Sequence, residues 1–303
     1  MKWPKRVKIK EVGPRDGLQN EEKILSADDK AEWINRLSET GLVSIEVSSF
    51  VNPKWIPQLA DASEVFSKIK RKKGIKYAAL VPNIRGLERA LEADVDEVCL
   101  FMSASETHNQ KNINKSISET FPVLEEVVKE AKSAGKTVRG YVSTVIACPY
   151  EGAIPISSVK KIVECLLEMG VDEVSLGDTI GAGVPSQVEA LLSELLKSYK
   201  AELFAMHFHD TRGTALANIL LSMQMGITTF DSSLGGLGGC PYADGATGNV
   251  ATEDLLYMLM EMGIETGIDM DRLLQAAHYI EEKLEKPLAS RQMELARRTR
   301  KEL

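Results

Sequence analysis

Cysteine and histidine are scarce: the 303 residues hold four of each. Four cysteines do not build a disulfide framework in a chain able to bury a large core, so the thiols are expected reduced, as in an intracellular compartment. Positive charge is also short, with 37 Lys and Arg against 44 Asp and Glu for a net charge of −7, and aromatics are only 6%. A polyanion would find neither an attractive field nor stacking platforms, which argues against nucleic acid. No apolar run approaches the roughly 18 residues of a membrane span. The opening MKWPKRVKIK is basic but has no apolar stretch of the kind a signal or transit peptide needs, so the cytoplasm is the expected location. A Ser/Gly-rich linker is missing as well, and no GxGxxG follows the first strand-like run, against two domains and against a dinucleotide fold.

What is present is alternation. β-rich runs recur at residues 7–12, 43–49, 75–81, 95–101, 137–146, 172–177, 203–208 and 227–233. Each precedes a segment with apolar spacing near 3.6, such as Phe121, Leu124, Val127, Val128 and Ala131, and Gly41, Gly74, Gly135, Gly170 and Gly226 sit where helices should stop. Eight β-then-α units specify an α/β fold whose parallel sheet closes as a (β/α)8 TIM barrel. The barrel is expected over residues 1–269. Residues 270–303 have no strand to pair with and are expected to form additional C-terminal helices that pack on or cap it.

In such a barrel the chemistry sits where strands end and βα loops begin. The first run ends in EVGPRDGLQN at 11–20, the second carries Glu46 and Ser49, the sixth Ser175 and Asp178, and the seventh His207 and His209. The eighth opens onto a stretch with six glycines between 235 and 248 that contains Cys240 and leads to Asn249 and Glu253. His207-Phe208-His209 is the sharpest feature, because a period of two points both imidazoles at the barrel axis and Phe208 outward. Two imidazoles so close make a clamp for a metal ion. Barrel closure sets the first strand beside the eighth and one place from the seventh, which makes Asp16 a neighbour, and Asn249 can add an amide oxygen. Two imidazoles, a carboxylate and an amide suit Mg2+ or Mn2+, while ligand type leaves Zn2+, Co2+ and Fe2+ open. Cys240, among glycines that let backbone approach a ligand, reads as a reactive thiol, with Cys148 a weaker candidate in a matching Cys-Pro-Tyr run. Asp178 fits turn and cap chemistry as well as it fits a functional role, and at Asp210 turn and cap chemistry is the favoured reading. Cys99 and Cys165 read as core fillers, His108 and His278 as surface residues, KIKRKK at 68–73 as a solvated helix face, and 111–115 as a place for phosphate.

Three stretches, EVGPRDGLQN at 11–20, HFHDTRG at 207–213 and GLGGCPYADGATGN at 236–249, make the chain resemble the 3-hydroxy-3-methylglutaryl-CoA lyases. These belong to a metal-dependent barrel superfamily that also contains isopropylmalate and homocitrate synthases. Arg-Asp-Gly and His-x-His are shared across the superfamily, and Gly-Gly-Cys-Pro-Tyr is much more specific to the lyases. The chain departs from the usual pattern at Leu234-Gly235 and at Arg212, and has no cysteine after residue 270 to match the redox-active one of mitochondrial members. The resemblance implies retro-Claisen cleavage of hydroxymethylglutaryl-CoA to acetoacetate and acetyl-CoA, as in leucine degradation and ketone-body formation. It implies a divalent ion on Asp16, His207, His209 and Asn249, and Cys240 as the acid that protonates the acetyl-CoA carbanion. Arg15 would stabilise the developing enolate oxygen. Gln19, Glu46, Ser49, Asp178 and Thr179 would join Arg15 around the substrate. Asp16 and His207 both stand as acceptors for the hydroxyl proton. Glu253, four residues after Asn249, would orient that ligand from one helical turn away. An acyl-CoA is the expected small-molecule partner and a homodimer the expected assembly, with no nucleic acid and no membrane. A Claisen-condensing synthase runs related chemistry forward but generally appends a C-terminal accessory region. A metal-dependent hydrolase barrel ends its first strand, not its seventh, in His-x-His, and has no need of Cys240.

Overall fold

The computed structural model describes residues 3–239 and 248–301. Eight parallel strands close into a barrel in chain order: β1 (Lys8–Glu11), β2 (Ser44–Ser49), β3 (Lys76–Leu80), β4 (Glu97–Ser103), β5 (Thr137–Ser143), β6 (Glu173–Asp178), β7 (Phe204–Phe208) and β8 (Thr229–Ser232). β1 closes the ring, pairing Lys8 with Thr229 on one side and Lys10 with Ser44 on the other. The helices between them are α1 (Ala27–Ser38), α2 (Ala62–Lys68), α3 (Ile84–Glu92), α4 (Glu106–Ile113), α5 (Ile117–Ser133), α6 (Ile156–Glu168), α7 (Pro185–Leu195) and α8 (Ala215–Gln224). After β8 come α9 (Thr252–Glu261), α10 (Met270–Leu284) and α11 (Arg291–Lys301). Among the described residues no helix is long and apolar enough to cross a membrane.

Local chemistry accounts for the element ends. Ser26 caps α1 by accepting from the Asp29 amide, and Ser116 with Glu119 forms a reciprocal capping box on α5. β5 stops at Ser143, shorter than its apolar run, because Thr144 turns left-handed at φ 60° while its amide donates to Thr179 Oγ1 at 2.8 Å. The fourth unit carries two helices rather than one, and α4 buries His108, which is therefore no surface residue. The basic run at 68–73 lies on a helix only at Lys68. Beyond it Arg71 donates to the carbonyls of Ala93 and Asp94. Cys99 is buried as expected, but Cys165 is only half-buried on α6.

One hydrophobic cluster joins the outward faces of the strands to the inward faces of the helices, from Ile9 and Phe208 to Trp33, Leu191 and Ile280. Through Leu273, Ala276, Ala277, Ile280 and Leu284, α10 packs into the same cluster. The lumen is different. Lys10 on β1 reaches across to Glu97 on β4 at 2.9 Å and to Glu173 on β6 at 2.8 Å, and Arg139 on β5 reaches Asp231 on β8 at 2.7 Å. None of these strand pairs is adjacent in the ring, so the ion pairs cross the interior.

Two glycines with the same backbone strain separate conformation from packing. Gly41, which leads into β2, has φ 94°, and a Cβ there would lie 2.1 Å from the Gly267 carbonyl oxygen; Gly74, before β3, has φ 92° and open space around it. Gly74→Ala should cost about 1–2 kcal/mol for the left-handed backbone alone. Gly41→Ala should cost clearly more, because a backbone carbonyl has to move. Urea unfolding of the two variants checks this, and equal losses would contradict it.

Candidate active site

The site is assembled by tight turns at the C-terminal ends of β1, β7 and β8. Directly after β1 the Val12 carbonyl accepts from the amides of Arg15 and Asp16, folding residues 13–17 into one compact turn. That turn sets Arg15 and Asp16 over the barrel mouth, where Arg15 Nη1 donates to Asp16 Oδ1 at 2.6 Å and Nη2 to Glu46 Oε2 at 2.9 Å. Asp16 also accepts from Gln19 Nε2 at 3.0 Å and, through Oδ2, from Asn249 Nδ2 at 2.8 Å.

His207 and His209 face this turn from β7, with ring centroids 5.3 Å apart and His207 Nε2 3.9 Å from Asp16 Oδ2. Asp16, His207 and His209 can each offer one ligand atom within 4.8 Å of the others, a spacing that fits a single metal ion. Burial raises the Asp16 carboxyl, but Arg15, the two histidines and Asn249 outweigh it and leave the group below its ordinary range. Burial, with His207 and Arg15 adding to it, brings His209 down to about 4, so the ring is neutral and carries a lone pair. Asn249 Nδ2 is also held by the Leu237 carbonyl at 3.0 Å, and its Oδ1 is buried with no donor among the described residues. An ionised carboxylate, two imidazoles and an amide oxygen in need of a partner are a donor set for a divalent cation.

The group lies at the base of a cleft of about 1060 Å3, lined among others by Arg15, Gln19, Tyr141, Thr179 and, toward the rim, Trp55, Lys111 and Lys115. Glu46 is buried under Arg15 and also accepts from Tyr141 Oη at 2.9 Å. Ser49 is spent on backbone, donating to the Leu80 carbonyl of neighbouring β3 and accepting from the Val51 amide. Both Asp178 oxygens accept backbone amides, Ala182 at 3.0 Å and Gly183 at 2.8 Å, so its carboxylate shapes a turn. Asp210 likewise accepts from Ala215. Cys148 is buried against Ser105 Oγ at 3.0 Å. Cys240 lies outside the described residues.

Glu253 does not reach Asn249. The spacing of four is not a helical turn here, because Asn249 pairs in a bridge with His209 and the helix begins only at Thr252. Glu253 instead accepts the Gly235 amide at 3.0 Å on both oxygens and hydrogen-bonds Ser290 Oγ. Three further residues, to which the sequence assigned no role, hold the site from below. Glu11 accepts from Gly13, Leu234 and Thr252, while Arg139 and Asp231 form the ion pair beneath His207. The available signal was a charged residue inside a short strand run: Arg139 in TVRGYVS, Asp231 in TFDS and Glu11 at the end of KIKE.

The family model described as HMGL-like matches residues 6–280. The chain belongs to the HMGL-like family. It is 58% identical over 295 residues to hydroxymethylglutaryl-CoA lyase YngG of Bacillus subtilis strain 168, covering 97% of this chain and 99% of that protein. A crystal structure of the Bacillus subtilis HMG-CoA lyase superposes with a TM-score of 0.96 at 58% identity, covering 98% of this chain and 100% of that one. An HMG-CoA lyase from Acinetobacter baumannii, solved in complex with coenzyme A and 3-methylmalate, superposes with a TM-score of 0.92 at 41% identity over 96% of this chain and 95% of that one.

The buried carboxyl of Glu253 makes the fold pH-sensitive. Burial pushes it from 4.5 up to about 7. From pH 4.5 to about 7 the unfolded chain has released a proton that the folded chain retains, so stability is full below this window and is lost as pH rises through it. Glu253→Gln should match the parent near pH 4.5 and exceed it in urea midpoint near pH 8. A variant equally destabilised at both pH values would refute this.

Proposed function

We propose that the chain cleaves 3-hydroxy-3-methylglutaryl-CoA to acetoacetate and acetyl-CoA, a carbon–carbon lyase reaction of retro-Claisen type. The observation that carries the reading is the convergence of Asp16, His207 and His209 beside Arg15 at the base of one cleft, in a chain 58% identical to a curated hydroxymethylglutaryl-CoA lyase. Asp16, His207, His209 and Asn249 would hold a divalent cation, Mg2+ or Mn2+, which when bound supplies Lewis acidity to substrate oxygens.

The tertiary hydroxyl loses its proton to Asp16 or His207, the C–C bond breaks, and its electrons pass to the thioester enolate. Arg15 answers that developing charge with a guanidinium already locked between Asp16 and Glu46, so little reorganisation is needed at the moment of reaction. Gln19 and Thr179 line the cleft and position the substrate. The proton that completes acetyl-CoA is assigned to Cys240, on the strength of its Gly-Gly-Cys-Pro-Tyr run. The coenzyme A bound by the Acinetobacter relative supports an acyl-CoA ligand. The same reading takes residues 1–269 as the catalytic barrel and 270–303 as its helical extension, with a homodimer as the assembly and the cytoplasm as its place.

Purified protein given hydroxymethylglutaryl-CoA and Mg2+ or Mn2+ should release acetoacetate, and a chelator should stop it. Condensation of acetyl-CoA with a 2-oxo acid in place of cleavage would overturn the reading. Cys240→Ala should lower the cleavage rate by about 10²–10⁴-fold, the range of general acid–base catalysis, while metal affinity is retained. Full activity in that variant would sink the assigned acid. His209→Ala should lose the metal itself, as isothermal titration would show.

A further inference from the structure

Asp231 occupies an inward position of β8, in register with His207 on neighbouring β7. Its carboxylate is 1% exposed and fully committed. Oδ1 accepts from Arg139 Nη2 at 2.7 Å, and Oδ2 accepts from Arg139 Nη1 at 3.1 Å and from Ser175 Oγ at 2.8 Å. His207 Nδ1 lies 3.3 Å from the same Oδ2. A carboxylate bound bidentately by a buried guanidinium is ionised and offers only lone pairs. The ring nitrogen facing it therefore carries the hydrogen. In the neutral ring the lone pair is then on Nε2, and this is the atom 3.9 Å from Asp16 Oδ2. Arg139 is itself fixed, donating through Nε to Glu173 at 2.7 Å and through Nη1 to Tyr141 Oη at 2.9 Å. The edge of Tyr141 stands against the His207 ring at 78°.

We propose that Asp231 is a positioning residue for His207: held by Arg139 and Ser175, it takes the Nδ1 hydrogen and turns the Nε2 lone pair toward the group formed with Asp16 and His209. The proposal rests on reading that group as a metal site and adds how one of its ligands is fixed in tautomer and orientation. Carboxylates that accept from the far nitrogen of a ligating imidazole act in this way, and their loss typically costs 10–100-fold in metal affinity.

With four histidines in the chain, long-range 1H–15N correlation spectra of the metal-free protein can resolve the tautomer of each ring. His207 should be the Nδ1–H form in the parent. The double replacement Arg139→Met with Asp231→Leu removes the acceptor without leaving a buried charge unpaired, and His207 should then lose that form. Mn2+ titration followed by electron paramagnetic resonance should show a loss of about 10–100-fold. In a His207→Ala background Asp231→Asn, which leaves Arg139 and its bonds toward Asp16 in place, should change Mn2+ affinity by less than about 2-fold, because its effect runs through the ring. Should the double variant not fold, Asp231→Asn is read in the same titrations with the same expectation. A neutral parent His207 with its hydrogen on Nε2, an unchanged Mn2+ affinity in the variant, or an equal loss without His207 would each overturn the role of Asp231. A parent protein that holds no Mn2+ would overturn the metal reading and this proposal with it.

Discussion

Arg139 places a permanent positive charge in the middle of the barrel, at 1% exposure, where only protein groups can answer it. Burying an ion costs several kcal/mol unless its neighbours pair with it in good geometry, and this requirement organises the lumen. Asp231 meets the guanidinium with both oxygens and Glu173 takes Nε. Tyr141 Oη accepts from Arg139 and donates its own hydrogen to Glu46 Oε2, the oxygen that Arg15 also binds. Arg15 in turn holds Asp16. One unbroken run of charge-assisted hydrogen bonds thus links mid-barrel to mouth. The Tyr141 ring packs against both guanidinium groups, its centre 4.8 Å from Arg139 Cζ and 5.3 Å from Arg15 Cζ. In a low dielectric such a network is rigid when satisfied and costly when broken, so the side chains at the mouth inherit their positions from those below.

The other wall of the site is set by backbone. Two carboxylates with no access to water, Glu11 and Glu253, are spent on the amides of Leu234 and Gly235 at the root of the segment after β8. From there the chain reaches Gly238, at φ 125°, where a Cβ would lie 2.6 Å from Asn249 Nδ2. Any larger residue at 238 would displace the amide that contacts Asp16. Segment geometry and ligand geometry are therefore one constraint, maintained by carboxyls that face neither the cleft nor the solvent.

Much of this was legible beforehand, and the reason is periodicity. Runs of β-branched residues followed by 3.6-spaced apolar positions gave the eight units, and the alternation in His207-Phe208-His209 put both imidazoles in the lumen and Phe208 in the outer core. Barrel closure then predicted Asp16 as a neighbour from strand order alone. What was not legible depended on register or on local backbone. Which carboxylate meets Arg139 is fixed by how β5 and β8 face each other across the lumen, information that no single strand carries. Glu253 was misplaced because a spacing of four implies a turn only inside a helix, and Asn249 lies before one. His108 was misread because its polar neighbours looked solvated. In the fold those neighbours work inward, with Asn109 accepting from the Ser103 amide and Ser105 capping the helix through the His108 amide.

Charge in the cleft is set by local groups. At its base one guanidinium, Arg15, faces two carboxylates, Asp16 and Glu46, and His209 is kept neutral, so this end is complementary to a cation. The rest of the lining is mixed in sign: exposed Lys111 and Lys115, with Lys111 Nζ 4.0 Å from the centre of the Tyr150 ring, share the cleft with exposed Glu22 and with Glu21, which Lys286 engages. A chain with a net charge of −7 repels anions at long range, but over distances beyond about 8–10 Å salt screens that field, and what a ligand meets inside the cleft is the local arrangement.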